Sequence, residues 1–394
     1  MKERKSMLNN YQQAMSCSTE SPEGAIKICI ATTPEEKGEI YRFRYQTYIE
    51  EMSKHPEEVD YDNMLLYDEM DEWAVLLYAK VNSEIIATKR INIGTIADFP
   101  KKVLGFLSLE TFQNYNIEHG ERKFAYITKV MIAPAHRSSP VLYLLIAKCY
   151  EICCHKHVQF IFGACNFHLL HLYEHLGCRR YCKNFHHSGY GLLAPIVLLI
   201  EDIQYLRKVR SPLYRIARKR AILNTKAVEW FDTMFTNNSP IINSQIIKEE
   251  ELWSILCSRL NCLPTEAITL LQGLSEAAAK KFLHSCGIVV QCYPEDLITV
   301  QGDVSYSYNI LLSGRLKSLT FQRPIKEYIT PGQHFGANGL TEHNKHTEDI
   351  AAISSAEILV LSGICFQKFH HSHPDVAHKI VQNSISLTRK GYLE

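Results

Sequence analysis

The residues with the clearest chemical potential lie in the first half of the chain. Ile127-Thr128-Lys129-Val130-Met131-Ile132 reads as a strand, Ala133-Pro134-Ala135-His136-Arg137-Ser138 as a turn, and Ser139-Pro140 as a capped helix start. Such a start leaves backbone N–H groups pointing outward, which suits a pyrophosphate or a phosphopantetheine. Upstream, Arg42, Arg44, Tyr45, Tyr48, Glu50 and Glu51 crowd one helical segment, and Asp60, Asp62, Asp68 and Asp71 follow it. Arg90 then lies near the end of a strand, where a guanidinium could hold a substrate carboxylate in a bidentate pair. His168, His171 and His175 share a helical face at i, i+3 and i+7. Glu174 is the one carboxylate near them and faces elsewhere, so no metal site is expected.

Those residues have to be carried by regular elements. The pattern predicts a strand at 26–31, a helix at 34–50, a hairpin of 73–80 with 84–93, and a strand at 124–132 closed by Pro134. Ser139 as N-cap and Pro140 at the first helical position predict a helix running to about His155. A strand at 159–164, a helix at 168–176 and a strand at 195–201 complete the set. Residues 1–25 are polar and aperiodic, as expected of a tail. From 205 to 265 the chain reads as a helical connector, and its basic run (Arg207, Lys208, Arg210, Arg215, Arg218, Lys219, Arg220) is a solvated face on which an acidic carrier protein could dock. Beyond it, short strands are punctuated by Gly287, Gly302, Gly314, Gly332 and Gly336, the pattern of a β-roll.

Bulk properties narrow the classes. The 394 residues exceed what one hydrophobic core usually organises. Lys and Arg total 43 against 42 Asp and Glu, so no global charge points to nucleic acid. The 13 cysteines follow no apolar leader and include no CxxC pair, so they read as reduced, mostly buried thiols in a cytoplasmic protein. No apolar run is long enough to span a bilayer.

Two family resemblances follow from the motifs. Gln301-Gly302-Asp303, Ile310-Leu311-Leu312-Ser313-Gly314-Arg315-Leu316 and Thr330-Pro331-Gly332-Gln333-His334-Phe335-Gly336 occur in the order found in cyclic-nucleotide-binding domains, over roughly residues 270–385. The resemblance implies a roll with C-terminal helices and a phosphate site on a short helix after the Phe-Gly pair. Its Glu and Arg positions hold Ala337 and a residue near His346, so Gly336, Ala337, Asn338 and His346 read as a degenerate nucleotide site. Losing two charge-assisted bonds removes about two to four orders of magnitude of affinity. A structural, dimerising or regulatory module is therefore favoured over a cyclic-nucleotide sensor.

The strand–turn–helix at 127–139, Asn166 and Leu172-Tyr173-Glu174-His175-Leu176-Gly177-Cys178 resemble the donor-binding motif of the GNAT superfamily, although Pro140 and Leu142 replace its glycines. The run Tyr41-Arg42-Phe43-Arg44-Tyr45-Gln46-Thr47-Tyr48-Ile49-Glu50-Glu51, the acidic loop and Lys89-Arg90 resemble N-acyl amino acid synthases and acyl-homoserine-lactone synthases. This resemblance implies transfer of a long-chain acyl group from acyl-CoA or acyl-acyl carrier protein to the amine of an amino acid or related small molecule. It places donor binding at Lys129, Val130, Met131, Arg137, Ser138, Ser139 and Asn166, the amine pocket at Asp60, Asp62, Asp68 and Asp71, substrate carboxylate binding at Arg90, and the acid for the leaving thiolate at Tyr173. The expected architecture is α+β: a GNAT-like mixed sheet with flanking helices (26–204), the helical connector (205–265), and the β-roll with its C-terminal helices (266–394). A cyclic-nucleotide-regulated protein-lysine acetyltransferase and a non-catalytic sensor are the alternatives.

Overall fold

The computed structural model describes residues 24–390, apart from 53, 55, 121, 138, 221–224, 236–240 and 321–325. The expected tail and Ser138 thus fall almost wholly outside the described residues.

The helix Pro34–Tyr45 starts on a full capping box: the Thr33 hydroxyl accepts the Glu36 N–H at 3.2 Å, and the Glu36 carboxylate accepts the Thr33 N–H at 3.1 Å. It does not stop at Tyr45 but loosens into a π-turn, Gln46–Glu51. Around it the strands run β1 (Lys27–Ile30), β2 (Val59–Asp60), β3 (Leu65–Leu66), β4 (Val75–Val81), β5 (Glu84–Gly94), β6 (Phe124–Ile132), β7 (Phe160–Cys165), β8 (Arg179–Arg180), β9 (Phe185–His187) and β10 (Gly191–Leu199). The main sheet has the order β1-β4-β5-β6-β7-β10-β8, with β9 beside β10. β6 and β7 are parallel, and their register covers just Ala125↔Ile161 and Tyr126↔Phe162. Past those pairs the two strands part, so the sheet opens from Ile127 and Gly163 onward.

β6 also breaks its register with β5. Thr88 faces Met131 and Arg90 faces Thr128, so Lys129 and Val130 together oppose Lys89. Lys129 takes φ +52°, which makes this a bulge with a left-handed residue that is not glycine. Few non-glycine residues adopt that conformation, and it re-aims the side chain.

One face of the sheet is covered by the helix Val141–His155, which buries Val141, Leu145, Cys149 and Cys153. The Ser139 hydroxyl does accept the Val141 N–H at 3.3 Å, yet Pro140 stands at the cap position, so the helix begins one residue later than its capping signal predicts. The other face carries an aromatic cluster, in which Phe112, Phe124, Phe160 and Phe162 meet Trp230 and Phe231 from the helix Lys226–Phe235. Part of the 205–265 segment is therefore core of the first sheet.

The second half forms two four-stranded antiparallel sheets. One has the order β11 (Gly287–Cys292), β18 (Ala356–Ser362), β13 (Ser307–Ser313), β16 (His334–Phe335); the other is β12 (Leu297–Thr299), β17 (Ile350–Ala352), β14 (Leu316–Ser318), β15 (Glu327–Tyr328). The roll turns where the sequence supplies glycine: at Gly314 φ is +85° and an added Cβ would stand 2.4 Å from the Ser355 carbonyl oxygen. The helices Gly363–Ser372 and Pro374–Lys390 close it.

The halves are bolted together by buried polar groups. Arg180 gives Nε to Glu174 (2.9 Å), Nη1 to the Val289 carbonyl (2.9 Å) and Nη2 to the Ile242 carbonyl (2.6 Å). Glu174, fully buried, also accepts the Ser244 N–H and hydroxyl. Asn184 donates to the Gln291 carbonyl and to Asp296. At the other edge Lys54 pairs with Asp303 at 2.7 Å.

Candidate active site

Where β6 bulges and parts from β7, five charged side chains gather. The helix Pro34–Tyr45 brings Arg44, a one-turn 3-10 helix at Glu69–Asp71 brings Asp71 with its cap Asp68, β5 brings Arg90 and β6 brings Lys129. Arg44, Asp71, Arg90 and Lys129 are all buried, at 0%, 1%, 3% and 9% exposure. Arg44 donates to Asp71 Oδ1 at 2.9 Å. Arg90 Nη1 is shared between Asp68 and Asp71, the latter at 3.1 Å, and its Nε donates to the Thr128 hydroxyl at 2.8 Å. Lys129 Nζ donates to the Tyr190 hydroxyl at 2.9 Å and lies 3.6 Å from Asp68 Oδ2. The carboxylates are themselves fixed by backbone: Met70 N–H donates to Asp68 and Asp68 N–H to Asp71.

The electrostatics follow from burial and from these neighbours. Burial works against ionised Asp68, but Arg90 and Lys129 outweigh it and hold its carboxyl below the usual range. Burial likewise opposes the Arg90 guanidinium, and Asp71 and Asp68 hold it firmly charged. For Arg44 burial wins, and its proton affinity falls. Burial brings Lys129 down to about 8, with Arg90 and Arg44 adding to the effect and Asp68 opposing it. Arg44 Nε and Nη2 have no hydrogen-bond partner among the described residues, which is costly for buried donors. Among the described residues the cluster thus offers more buried donors than its own carboxylates satisfy.

Tyrosines wall the site. The Tyr48 and Tyr190 rings meet edge-on at 5.2 Å, and burial pushes up the hydroxyls of Tyr48, Tyr190 and Tyr173, and that of Tyr126 to about 12. Behind the parted strands lies a mostly apolar cavity of about 60 Å³, lined in part by Ile127, Gly163, Ala164, Tyr173, Cys149 and Lys89. An acyl chain entering between β6 and β7 would meet it.

The residues singled out from sequence divide between these places. Asp68, Asp71, Arg90 and Lys129 come together, and Tyr173 lines the cavity behind them. Asp60 stays apart on β2, bonded to the Asn63 N–H and side-chain amide, and Asp62 sits in the same turn. Val130 and Met131 follow the bulge on β6. Arg137 is held by Glu51 at 2.6 Å and by the Ile132 carbonyl, so a carboxylate occupies it where a phosphate would bind. Asn166 spends its amide on the Tyr190 and Leu192 carbonyls, which fixes Tyr190 rather than a donor. Arg44 and Tyr190 join the site beyond the residues expected there. Arg44 was visible in the Arg-Phe-Arg run, whereas nothing in the sequence distinguishes Tyr190. The three histidines face the second half: His168 against Tyr306, and His171 and His175 toward Gln245. Among the described residues no group of His, Cys, Asp and Glu is arranged to hold a metal.

In the roll, no helix follows the Phe335-Gly336 pair. The Ala337 N–H, which would meet a phosphate in the resembled family, donates to His346 Nδ1 at 3.0 Å. Gly336 has φ +74°, and an added Cβ would lie 3.1 Å from the same imidazole. Asn338 is committed to Thr341, Ser384 and the Leu340 N–H. His346 fills the cassette.

The family model described as acetyltransferase (GNAT) domain matches residues 43–147. Among solved structures, an N-acyl amino acid synthase from uncultured soil microbes is 13% identical, over 49% of this chain and 98% of its own, with a TM-score of 0.40. A putative N-acetyltransferase from Lactobacillus plantarum is 14% identical, over 45% and 99%, at 0.32. A cyclic nucleotide-binding domain from Methylobacillus flagellatus is 14% identical, over 35% and 79%, at 0.30. Curated proteins give no match. No helix among the described residues is long and apolar enough to cross a membrane.

Proposed function

We propose, with a GNAT acetyltransferase domain at residues 43–147 as premise, that the protein moves an acyl group from a thioester to the amine of a small acceptor that also carries a carboxylate, an amino acid being the simplest. The observation that carries this reading is the buried Arg44–Asp71–Arg90–Asp68–Lys129 cluster at the open end of the parted strands. The buried Arg44 nitrogens, unpartnered among the described residues, call for an anion, and Asp68 offers a partner to an ammonium. Holding both ends of an amino acid would set its nitrogen beside a carbonyl lodged between β6 and β7. Backbone N–H groups freed at the bulge can stabilise the oxyanion, and Tyr173 can protonate the departing thiolate. The cavity as it stands suits a short acyl group, and a long chain requires its walls to move.

Donor recognition is proposed to lie off the customary loop. Arg207, Arg210 and Arg215 line a groove of about 560 Å³ together with Tyr143, on the helix Val141–His155, and no Asp or Glu occurs between Asp202 and Arg220. An acidic acyl carrier protein fits that charge. The roll, with its cassette filled by His346, serves as a structural module.

Purified protein is incubated with acyl-CoA and acyl-carrier-protein donors of graded length and mixed amino acids, and the products are read by mass spectrometry. New amides of free amino acids support the reading. Acylated protein lysines alone, or no transfer from any donor, overturn it.

A further inference from the structure

We infer that Lys129, a side chain re-aimed into the site by the β6 bulge, is the base that takes the proton from the acceptor ammonium. This rests on the acyl transfer proposed above and assigns it a residue.

An amine attacks a thioester as the free base, whereas an amino acid presents an ammonium near neutral pH. Some group must take one proton, and the groups at this site can be ranked. Asp68 is held ionised by Arg90 and Lys129, and a carboxylate so stabilised is a weak base. Asp71 has each oxygen engaged, one by Arg44 and one by Arg90 and the Asp68 N–H. Burial pushes the hydroxyls of Tyr48, Tyr126 and Tyr190 upward, so they hold their protons. Lys129 remains.

Charge balance makes it a base rather than a fixed cation. Arg44 and Arg90 are two guanidiniums set against two carboxylates, Asp68 and Asp71. That set is neutral, and a proton on Lys129 adds a third buried cation. The exposed Glu58 draws the proton in weakly, and burial with Arg90 and Arg44 drives it out. His187, itself lowered by burial, is the remaining titratable group facing Lys129. The amine is held in place by Tyr190, whose own position Asn166 fixes. When the acceptor carboxylate reaches Arg44, the positive surroundings are offset and the proton affinity of Lys129 rises. The base therefore strengthens when the correct substrate is in place.

The step balances. R–NH3+ passes one proton to Lys129 Nζ, the free amine forms a C–N bond to the thioester carbonyl carbon, and the C–S bond breaks. The second nitrogen proton goes to the thiolate through Tyr173, and Lys129 then releases its proton to solvent.

The test compares three full-length variants, Lys129→Met, Lys129→Arg and Tyr190→Phe, with melting curves to establish folding. In the native protein kcat/KM should rise with pH through a limb near 8. Lys129→Met and Lys129→Arg should both lose that limb and about 10²–10⁴-fold of kcat, with KM for the amino acid little changed. Arginine keeps the charge but cannot give up its proton, so an active Lys129→Arg overturns the assignment, as does an active Lys129→Met. Tyr190→Phe should move the limb, and an unmoved limb counts against the assignment. Absence of product from the native protein with every donor overturns the acyltransferase reading itself, a result distinct from all of these.

Discussion

Both halves of the molecule contain a buried polar pocket built around backbone that only unusual conformations allow, and the two pockets are finished differently. In the roll, the Ala337 N–H meets His346 and the Asn338 amide meets Ser384, so these two donors of the cassette are matched by the protein itself. In the sheet, Arg44 Nε and Nη2 have no hydrogen-bond partner among the described residues. Proteins rarely leave buried donors unmatched without a purpose, because each costs about 1–3 kcal/mol. The contrast bears on the proposed function: the Ala337 and Asn338 donors are already met, whereas the Arg44 nitrogens would be met by the carboxylate of the proposed acceptor.

The comparison breaks first at Asp71. Among the described residues it is the sole hydrogen-bond acceptor of Arg44, and it is one of two carboxylates on Arg90. Asp71→Ala should cost about 3–5 kcal/mol in urea unfolding, since it strands a buried guanidinium, and should abolish amide formation. A loss near 1 kcal/mol would mean the cluster is hydrated and not a dry charge site.

The pH dependence of stability sharpens the same point. Lys129 falls to about 8 when folded, below its unfolded value. Between those two values the unfolded chain holds a proton that the folded one has released, so stability contributed through Lys129 rises with pH across that window. The buried thiols of Cys165 and Cys178, raised by burial, pull in the opposite sense, so the difference between native protein and Lys129→Met is the quantity to read. That difference should change by up to about 3 kcal/mol from pH 8 to pH 10.5. A flat difference would show that Lys129 keeps its proton.

Much of the frame was legible because it rests on local signals. The strand at Phe124–Ile132 ends where Pro134 predicts, and the hairpin turns at Asn82 and Ser83. The α+β architecture, with mixed sheet and roll, follows from those patterns. What escaped depended on contacts distant in sequence. Asp60, Asp62, Asp68 and Asp71 look alike as a string, and packing alone decides that the last two reach Arg90. The left-handed Lys129 carries no glycine to announce it. The Pro34–Tyr45 helix hides its π-turn because Gln46–Glu51 has ordinary helical composition. Lys226–Phe235 reads as a connector until Trp230 and Phe231 are seen against the sheet.

A smaller effect is expected at the cassette. His346→Ala removes the acceptor of one backbone N–H and opens space beside Gly336, at a cost of about 1–2 kcal/mol. Activity should be unchanged, since His346 touches no residue of the charged cluster. A large fall in kcat with folding intact would instead tie the roll to the chemistry.

The last expected effect is zero, and it is informative for that reason. A ligand that binds the folded state alone stabilises it by RT ln(1 + [L]/Kd), about 2.7 kcal/mol at a hundredfold excess over Kd. Cyclic AMP or cyclic GMP at millimolar concentration would therefore raise Tm by degrees if the cassette bound either at micromolar affinity. With His346 seated on the Ala337 N–H, and Ala337 itself in place of a ribose-binding carboxylate, neither nucleotide should move Tm. An amino acid acceptor at the same concentration should move it, because it supplies the anion that Arg44 lacks. A shift with the nucleotides and none with amino acids would invert the comparison: the imidazole would then be a displaceable plug, and the open cluster a buried network complete without a ligand.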